Sequence, residues 1–172
     1  MFFVDANVVV YSGVRDSPYR EPCLEIMAAI TRGDVEGRTS TTALEEVWHL
    51  ELSRRVREIG GLTASAYAIL GPLLPVSDES FRRALGLDAP ALGANDRLHV
   101  ATCLTHGIDL LVSADQAFDS VSEVRRIDPL DGPARAALLA SRREDSADRR
   151  RRRGRRAACW SPSSGVGFSS PS

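Results

Sequence analysis

Two short apolar runs, each closed by an aspartate, constrain this chain more than any other feature. FFVD occupies residues 2–5 and LLVSAD residues 110–115. Runs this short and this continuously apolar read as strands buried on both faces. Helical periodicity separates them. Residues 21–33 place Leu24, Met27, Ala28 and Ile30 on one stripe, with Gly33 as the stop. A long helix is expected over 43–59, ended by Gly60 and Gly61, and another over 63–70. A brief strand is expected at 74–76, a helix capped by Asp78 through about residue 85, and a helix opening at Ala94 or Asn95 and stopped by Gly107. Strands follow at 108–112 and 124–127, the second followed by Pro129. Strands alternating with helices define an α/β chain, with a mostly parallel central sheet covered by helices on both faces. In such sheets sites form beyond the carboxyl ends of the strands, where strand order reverses. Asp5 and Asp115 each lie at or just past such an end.

The bulk numbers fit one domain and a tail. The chain has 172 residues and is 43% hydrophobic, enough for a core. No run of about 18 apolar residues is present, so no membrane span is expected. The N-terminus has no basic residue ahead of its apolar stretch and carries Asp5 within it, which argues against a secretory signal. Cys23, Cys103 and Cys159 are odd in number and widely spaced, so they read as reduced thiols and the protein as cytoplasmic. The net charge of −1 conceals an asymmetry: residues 1–140 hold thirteen Arg against twenty acids, and residues 141–172 hold nine Arg against three. The chain has no lysine. Residues 141–156 are dominated by Arg and 157–172 by Ser, Gly and Pro, so the domain is placed at 1–140 and the tail is expected to be disordered. The Arg run would attract RNA electrostatically or stand as a solvated tail. No function is assigned to it.

Four acids stand out on these elements: Asp5, Glu46, Asp96 and Asp115. Gathered on one edge, they would repel one another, and a cation would relieve that repulsion. Mg2+ or Mn2+ suits oxygen donors and retains several waters. Each acid also has a plainer reading. Asp5 ends a strand, where a turn cap is common. Asp96 sits in the first turn of a helix, where an acid meets the helix dipole. Asp115 is placed to cap the segment after it. Of the adjacent glutamates, Glu45 completes an S/T-x-x-E capping box from Thr42, whereas Glu46 has Ala43 and Leu50 at helical spacing and faces inward.

In three stretches the chain resembles the PIN domain family, and within it the VapC-type toxins: FVDANVVVY, TSTTALEEVWHL and ANDRLHVATCLTHGIDLLVSADQAFDSV, in order, over about residues 2–130. The resemblance implies a three-layer α/β/α fold and Mg2+- or Mn2+-dependent hydrolysis of RNA. It places Asp5, Glu46, Asp96 and Asp115 at the family's acidic positions. Asp5, Asp96 and Asp115 would hold the ion, and Glu46 would hold it or deprotonate the attacking water. Asp119 falls where some members carry an extra acid and otherwise reads as a loop acid. Asn7 and Ser113 match polar positions beside the acids. The implied partners are RNA, a VapB-like antitoxin reaching into the acidic cleft, and a second copy of the chain through the helices at 43–59 and 63–70.

Other residues carry weaker signals. His99 shares a helical face with Asp96 and Cys103, but neighbouring Val100 and Leu104 make packing the simpler explanation. His49 reads as a boundary residue, and His106 suits a helix C-terminus. Trp48 and Tyr67 read as core or dimer packing. Arg15 and Arg97 are placed to reach a phosphate, although single arginines are usually solvated. A haloacid-dehalogenase-type phosphatase needs a second Asp where Asn7 stands, and it and a receiver domain both need a late lysine. Within the nuclease family, an RNA-processing enzyme without a toxin role and a noncatalytic RNA-binding relative are the alternatives. The presence of all four acids favours an active enzyme.

Overall fold

The computed structural model describes residues 1–53 and 59–140. The basic tail and residues 54–58 of the helix expected at 43–59 therefore lie outside the described residues. Four strands form one sheet: β1 (Phe2–Val4), β2 (Gly37–Arg38), β3 (Leu110–Val112) and β4 (Arg125–Ile127). Their order is β2-β1-β3-β4, and every pairing is parallel. The order reverses between β1 and β3, which puts the crevice where Asp5 and the Ser113–Asp115 turn emerge. Consecutive strand residues point to opposite faces, yet Phe2, Phe3 and Val4 are all buried, as are Leu111 and Val112. Both faces are therefore covered, and the domain has three layers.

The helices are α1 (Ala6–Gly13), α2 (Arg20–Thr31), α3 (Thr41–Leu52), α4 (Leu62–Leu70), α5 (Asp78–Gly86), α6 (Ala94–Thr105) and α7 (Gly132–Ala140). Phe3, Val8, Ile26, Val47, Val100, Leu111 and Phe118 are fully enclosed in the core they share with the sheet. Gly37 shows how tightly β2 is seated: a Cβ there would stand 2.4 Å from the tip of Ile30 on α2 and 3.1 Å from Val4 on β1. Thr39, just past β2, donates its hydroxyl to the Val4 carbonyl at 2.7 Å.

Several expectations need correction. Ser40, not Thr42, caps α3, accepting from the Ala43 amide at 3.1 Å, and Glu45 is exposed. The cap moved because the backbone turns extended at Ser40, and helix already runs through Thr42. Ser77, not Asp78, caps α5, and Asp78 instead lies in the first turn, ion-paired with Arg82 at 2.6 Å. α3 ends at Leu52, and Ile59 is buried outside any element. The strand expected at 74–76 is a single parallel bridge from Leu74 to Ser40. β2, α1 and α7 were not anticipated as elements.

Candidate active site

The site is built around Asp5, which is buried where β1 turns into α1. Its Oδ1 accepts from the Ala6 amide at 2.7 Å and so caps α1. Its Oδ2 accepts from Asn7 Nδ2 at 2.6 Å and from the Ser113 hydroxyl at 2.7 Å. Ser113 follows β3 directly and is fully buried. With its proton committed to Asp5, its oxygen accepts from Asn7 Nδ2 at 2.9 Å and from the Asp115 amide at 3.0 Å. Asn7 closes the set by accepting from the Ala114 amide at 3.2 Å. The three side chains weld the carboxyl ends of β1 and β3 and fix the turn that presents Asp115.

Asp115 and Asp96 each commit one oxygen to a cap. Asp115 Oδ1 accepts from the Ala117 amide at 2.8 Å, capping the short helical turn at Gln116–Ser120. Asp96 Oδ2 accepts from the Gly93 amide at 3.2 Å at the start of α6. The second oxygen of each has no hydrogen bond within the described residues. The plain capping reading of Asp5, Asp96 and Asp115 is thus present in the structure, and it leaves donor oxygen over. Glu46 projects from α3 with its side chain 29% exposed.

His99 occupies the centre. Its ring is wholly buried on α6, tilted against Phe3 at 5.6 Å. Nδ1 lies 3.6 Å from Asp5 Oδ1, and Nε2 lies 3.3 Å from Glu46 Oε1. Both approaches are out of line or too long for a hydrogen bond, so His99 Nδ1, His99 Nε2 and Glu46 Oε1 meet as ion-pair contacts without hydrogen bonds. Sequence reasoning had reduced His99 to packing. The available signal was its spacing of one helical turn from Asp96, which puts it on the same face.

The electrostatics show that these groups feel one another. Burial raises the Asp5 carboxyl above its ordinary range and Glu46 adds to this, while His99, Ser113 and the Ala6 amide oppose it. Burial also raises Asp96; His99 and the Gly93 amide oppose this, and Asp115 and Glu46 reinforce it. Burial pushes His99 down, but Glu46, then Asp5 and Asp96, more than reverse this, so its pKa is raised. Burial is thus the main reason these carboxyls are raised, repulsion between the acids adds to it, and positive charge nearby opposes both.

The donor set fits a hard divalent ion of the magnesium kind. Among the described residues no three candidate ligands form a ready-made cage. Mg2+ does not need one, since it is usually held by one or two carboxylates and keeps several waters. Asp96 and Asp115 each keep a carboxylate oxygen without a hydrogen bond among the described residues, and Glu46 Oε1 lies beside His99 with none.

The remaining candidates fall elsewhere. Asp119 makes a two-point ion pair with Arg126, both contacts at 2.8 Å, which holds its carboxyl below the ordinary range. Arg126, missed in the sequence, also donates to the Ser113 carbonyl at 3.0 Å and to Asp128 at 3.1 Å, so it braces the turn from behind. A charged residue in a short strand was its only signal. Arg97 does not stand free for a phosphate: its guanidinium donates to the carbonyls of Leu87 at 2.7 Å, Ala89 at 2.8 Å and Leu92 at 3.2 Å, tying down the loop before α6. Arg15 is exposed on the connection between α1 and α2. A groove of about 270 Å³ between α3 and α6, lined by Glu45, Glu46, His49, Leu50 and Asn95, opens beside the acids.

Comparison with known proteins places this parallel α/β domain in a family. The PIN domain family model matches residues 2–124, and the chain belongs to that family, in its VapC branch. Ribonuclease VapC7 of Mycobacterium tuberculosis is 30% identical over 153 residues, covering 83% of this chain and all of the relative. Among solved structures, the fold matches M. tuberculosis VapC20, described as a sarcin-ricin loop cleaving toxin, with a TM-score of 0.57, 22% identity, and coverage of 73% of this chain and 99% of that one. It also matches VapBC2 of Rickettsia felis, solved bound to a promoter DNA fragment, with a TM-score of 0.56, 15% identity, and coverage of 74% and 97%.

Proposed function

We propose that this chain is a divalent-metal-dependent endoribonuclease and the toxin of a VapBC-type pair. The observation that carries this reading is the placing of Asp5, Glu46, Asp96 and Asp115 beside the strand-order reversal, within electrostatic reach of one another: Glu46 acts on Asp5, and Asp115 and Glu46 act on Asp96. Asp5, Asp96 and Asp115 would hold Mg2+ or Mn2+, directly or through water. The bound ion supplies an activated water and stabilisation of charge on the phosphodiester. Glu46 would hold the ion or take a proton from water; its Oε1 makes no hydrogen bond and lies against His99. Ser113 and Asn7 keep Asp5 and Asp115 in register, and Arg126 steadies the Ser113 carbonyl. RNA would approach along the groove beside Glu46, His49 and Asn95.

The partners follow from the family and from the surface. A VapB-like antitoxin is proposed to cover the acidic cleft, as the VapBC relatives suggest. Trp48 and Leu52 on α3 and Tyr67 on α4 are 54%, 67% and 57% exposed, and two copies meeting there would form a homodimer. No helix among the described residues is long and apolar enough to cross a membrane, and the free buried thiols of Cys23 and Cys103 suit a reducing cytoplasm.

The test is cleavage of a panel of structured RNAs by antitoxin-free protein, with Mg2+, with Mn2+ and with EDTA. Metal-dependent internal cutting is expected. A folded protein that cuts nothing in either metal would move the assignment to a noncatalytic RNA-binding member.

A further inference from the structure

His99 is the buried polar side chain that the four-acid account leaves unexplained. It sits on the inward face of α6 between Val100 and the core, where an aliphatic residue would pack without penalty. A buried imidazole with no in-line hydrogen bond is costly to desolvate, and here two carboxylates within ion-pair range compensate for it. Its surroundings are specific: one nitrogen faces Asp5 at 3.6 Å, the other faces Glu46 at 3.3 Å, and Phe3 backs the ring. Asp5 lies at the junction of β1 and α1 and Glu46 on α3, so the imidazole stands between acids from two separate parts of the fold. The imidazole is therefore the spacer between them, and a shift of its ring moves one acid relative to the other.

We propose that His99 is a positioning residue that sets the separation and orientation of Asp5 and Glu46, and so the affinity of the site for a divalent cation. The proposal rests on the metal-nuclease reading above and adds a residue to it. His99 need not touch the ion. Its two nitrogens lie close enough for a small closing movement to turn each approach into a hydrogen bond, which would hold both carboxylates at once. Groups that orient ligating carboxylates commonly change metal affinity by about 10–100-fold when removed.

The experiment is Mn2+ binding to the full chain, read by the loss of the free-ion EPR signal, for wild type, His99→Leu and His99→Gln, with folding checked by circular dichroism. His99→Leu should remain folded, because leucine takes up much of the imidazole's volume against Phe3, and bind Mn2+ about 10–100-fold more weakly. His99→Gln, which retains a polar head, should recover part of the loss. In a Glu46→Gln background, His99→Leu should cost far less, because the carboxylate it positions is gone. His99→Met carries the same comparison if the Leu variant does not fold. Wild-type Mn2+ affinity in His99→Leu would overturn the proposal and leave the nuclease reading standing. Wild-type protein that binds no Mn2+ would overturn both. Equal losses from His99→Leu with and without Glu46 would reduce His99 to packing.

Discussion

At the scale of single residues, the site runs on double use. Asp5 caps α1 and anchors the β1–β3 junction, and Ser113 donates to Asp5 while accepting from Asn7 and the Asp115 amide. Ser113→Ala should therefore leave Asp5 short of a donor and two donors short of an acceptor. A stability loss of about 1–3 kcal/mol is expected from denaturant unfolding, together with a metal affinity lower by roughly tenfold or more. An unchanged melting curve and unchanged metal affinity would refute the welding role. The pKa directions supply a second outcome. Burial raises Asp5 and Asp96 above the ordinary aspartate value of 3.8, so the folded state holds their protons more tightly and loses stability as pH rises from there through the folded values. His99 is raised above 6.5, so its contribution is full below 6.5 and lost as pH rises through its folded value. The signs agree: metal-free protein in EDTA should melt at lower temperature as pH rises across that window, and Asp5→Asn should flatten the trend. Melting that rises steadily with pH would contradict it.

At the scale of elements, the supports of the site lie in connections rather than in regular structure. Arg97 ties three carbonyls of the loop at residues 87–92 to α6. Arg97→Ala should cost about 1–3 kcal/mol of stability, yet leave RNA binding by an inactive Asp5→Ala background near its starting value in a filter assay. A selective loss of RNA affinity without destabilisation would restore the phosphate-contact role. Gly37→Val should cost about 1–3 kcal/mol by wedging β2 from α2 and β1, since the Ile30 side chain and Val4 crowd that position. These elements also show what the sequence made legible. β1 and β3 announced themselves because unbroken apolar runs closed by acids have few other readings. β2 did not, because two residues, Gly37 and Arg38, carry no periodicity and pair only through tertiary context. The α3 cap was misplaced because Ser40, Thr41 and Thr42 are all able capping residues, and backbone direction decides among them. His99 was discounted because its apolar sequence neighbours are visible in the chain, whereas Asp5 and Glu46 reach it only through the fold.

At the scale of the whole molecule, the acidic charge of residues 1–140 works against a polyanion. A divalent cation held by the acids would offset part of that charge where RNA approaches. The exposed aromatics on α3 and α4 belong to this scale as well. Trp48→Glu should convert a dimer into a monomer in light scattering while leaving circular dichroism unchanged. A wild-type monomer at working concentration would remove the proposed interface.

The central claim is that the four carboxylates act as one metal-dependent site. Its most direct measurement is the RNA cleavage rate at saturating Mn2+ for wild type and for Asp5→Asn, Glu46→Gln, Asp96→Asn and Asp115→Asn, each confirmed to be folded. The account predicts a loss of roughly 100-fold or more in each variant and far less than multiplicative loss when two are combined. Wild-type rates in any one of them would remove that acid from the site. Wild-type rates in Asp5→Asn would contradict the account itself.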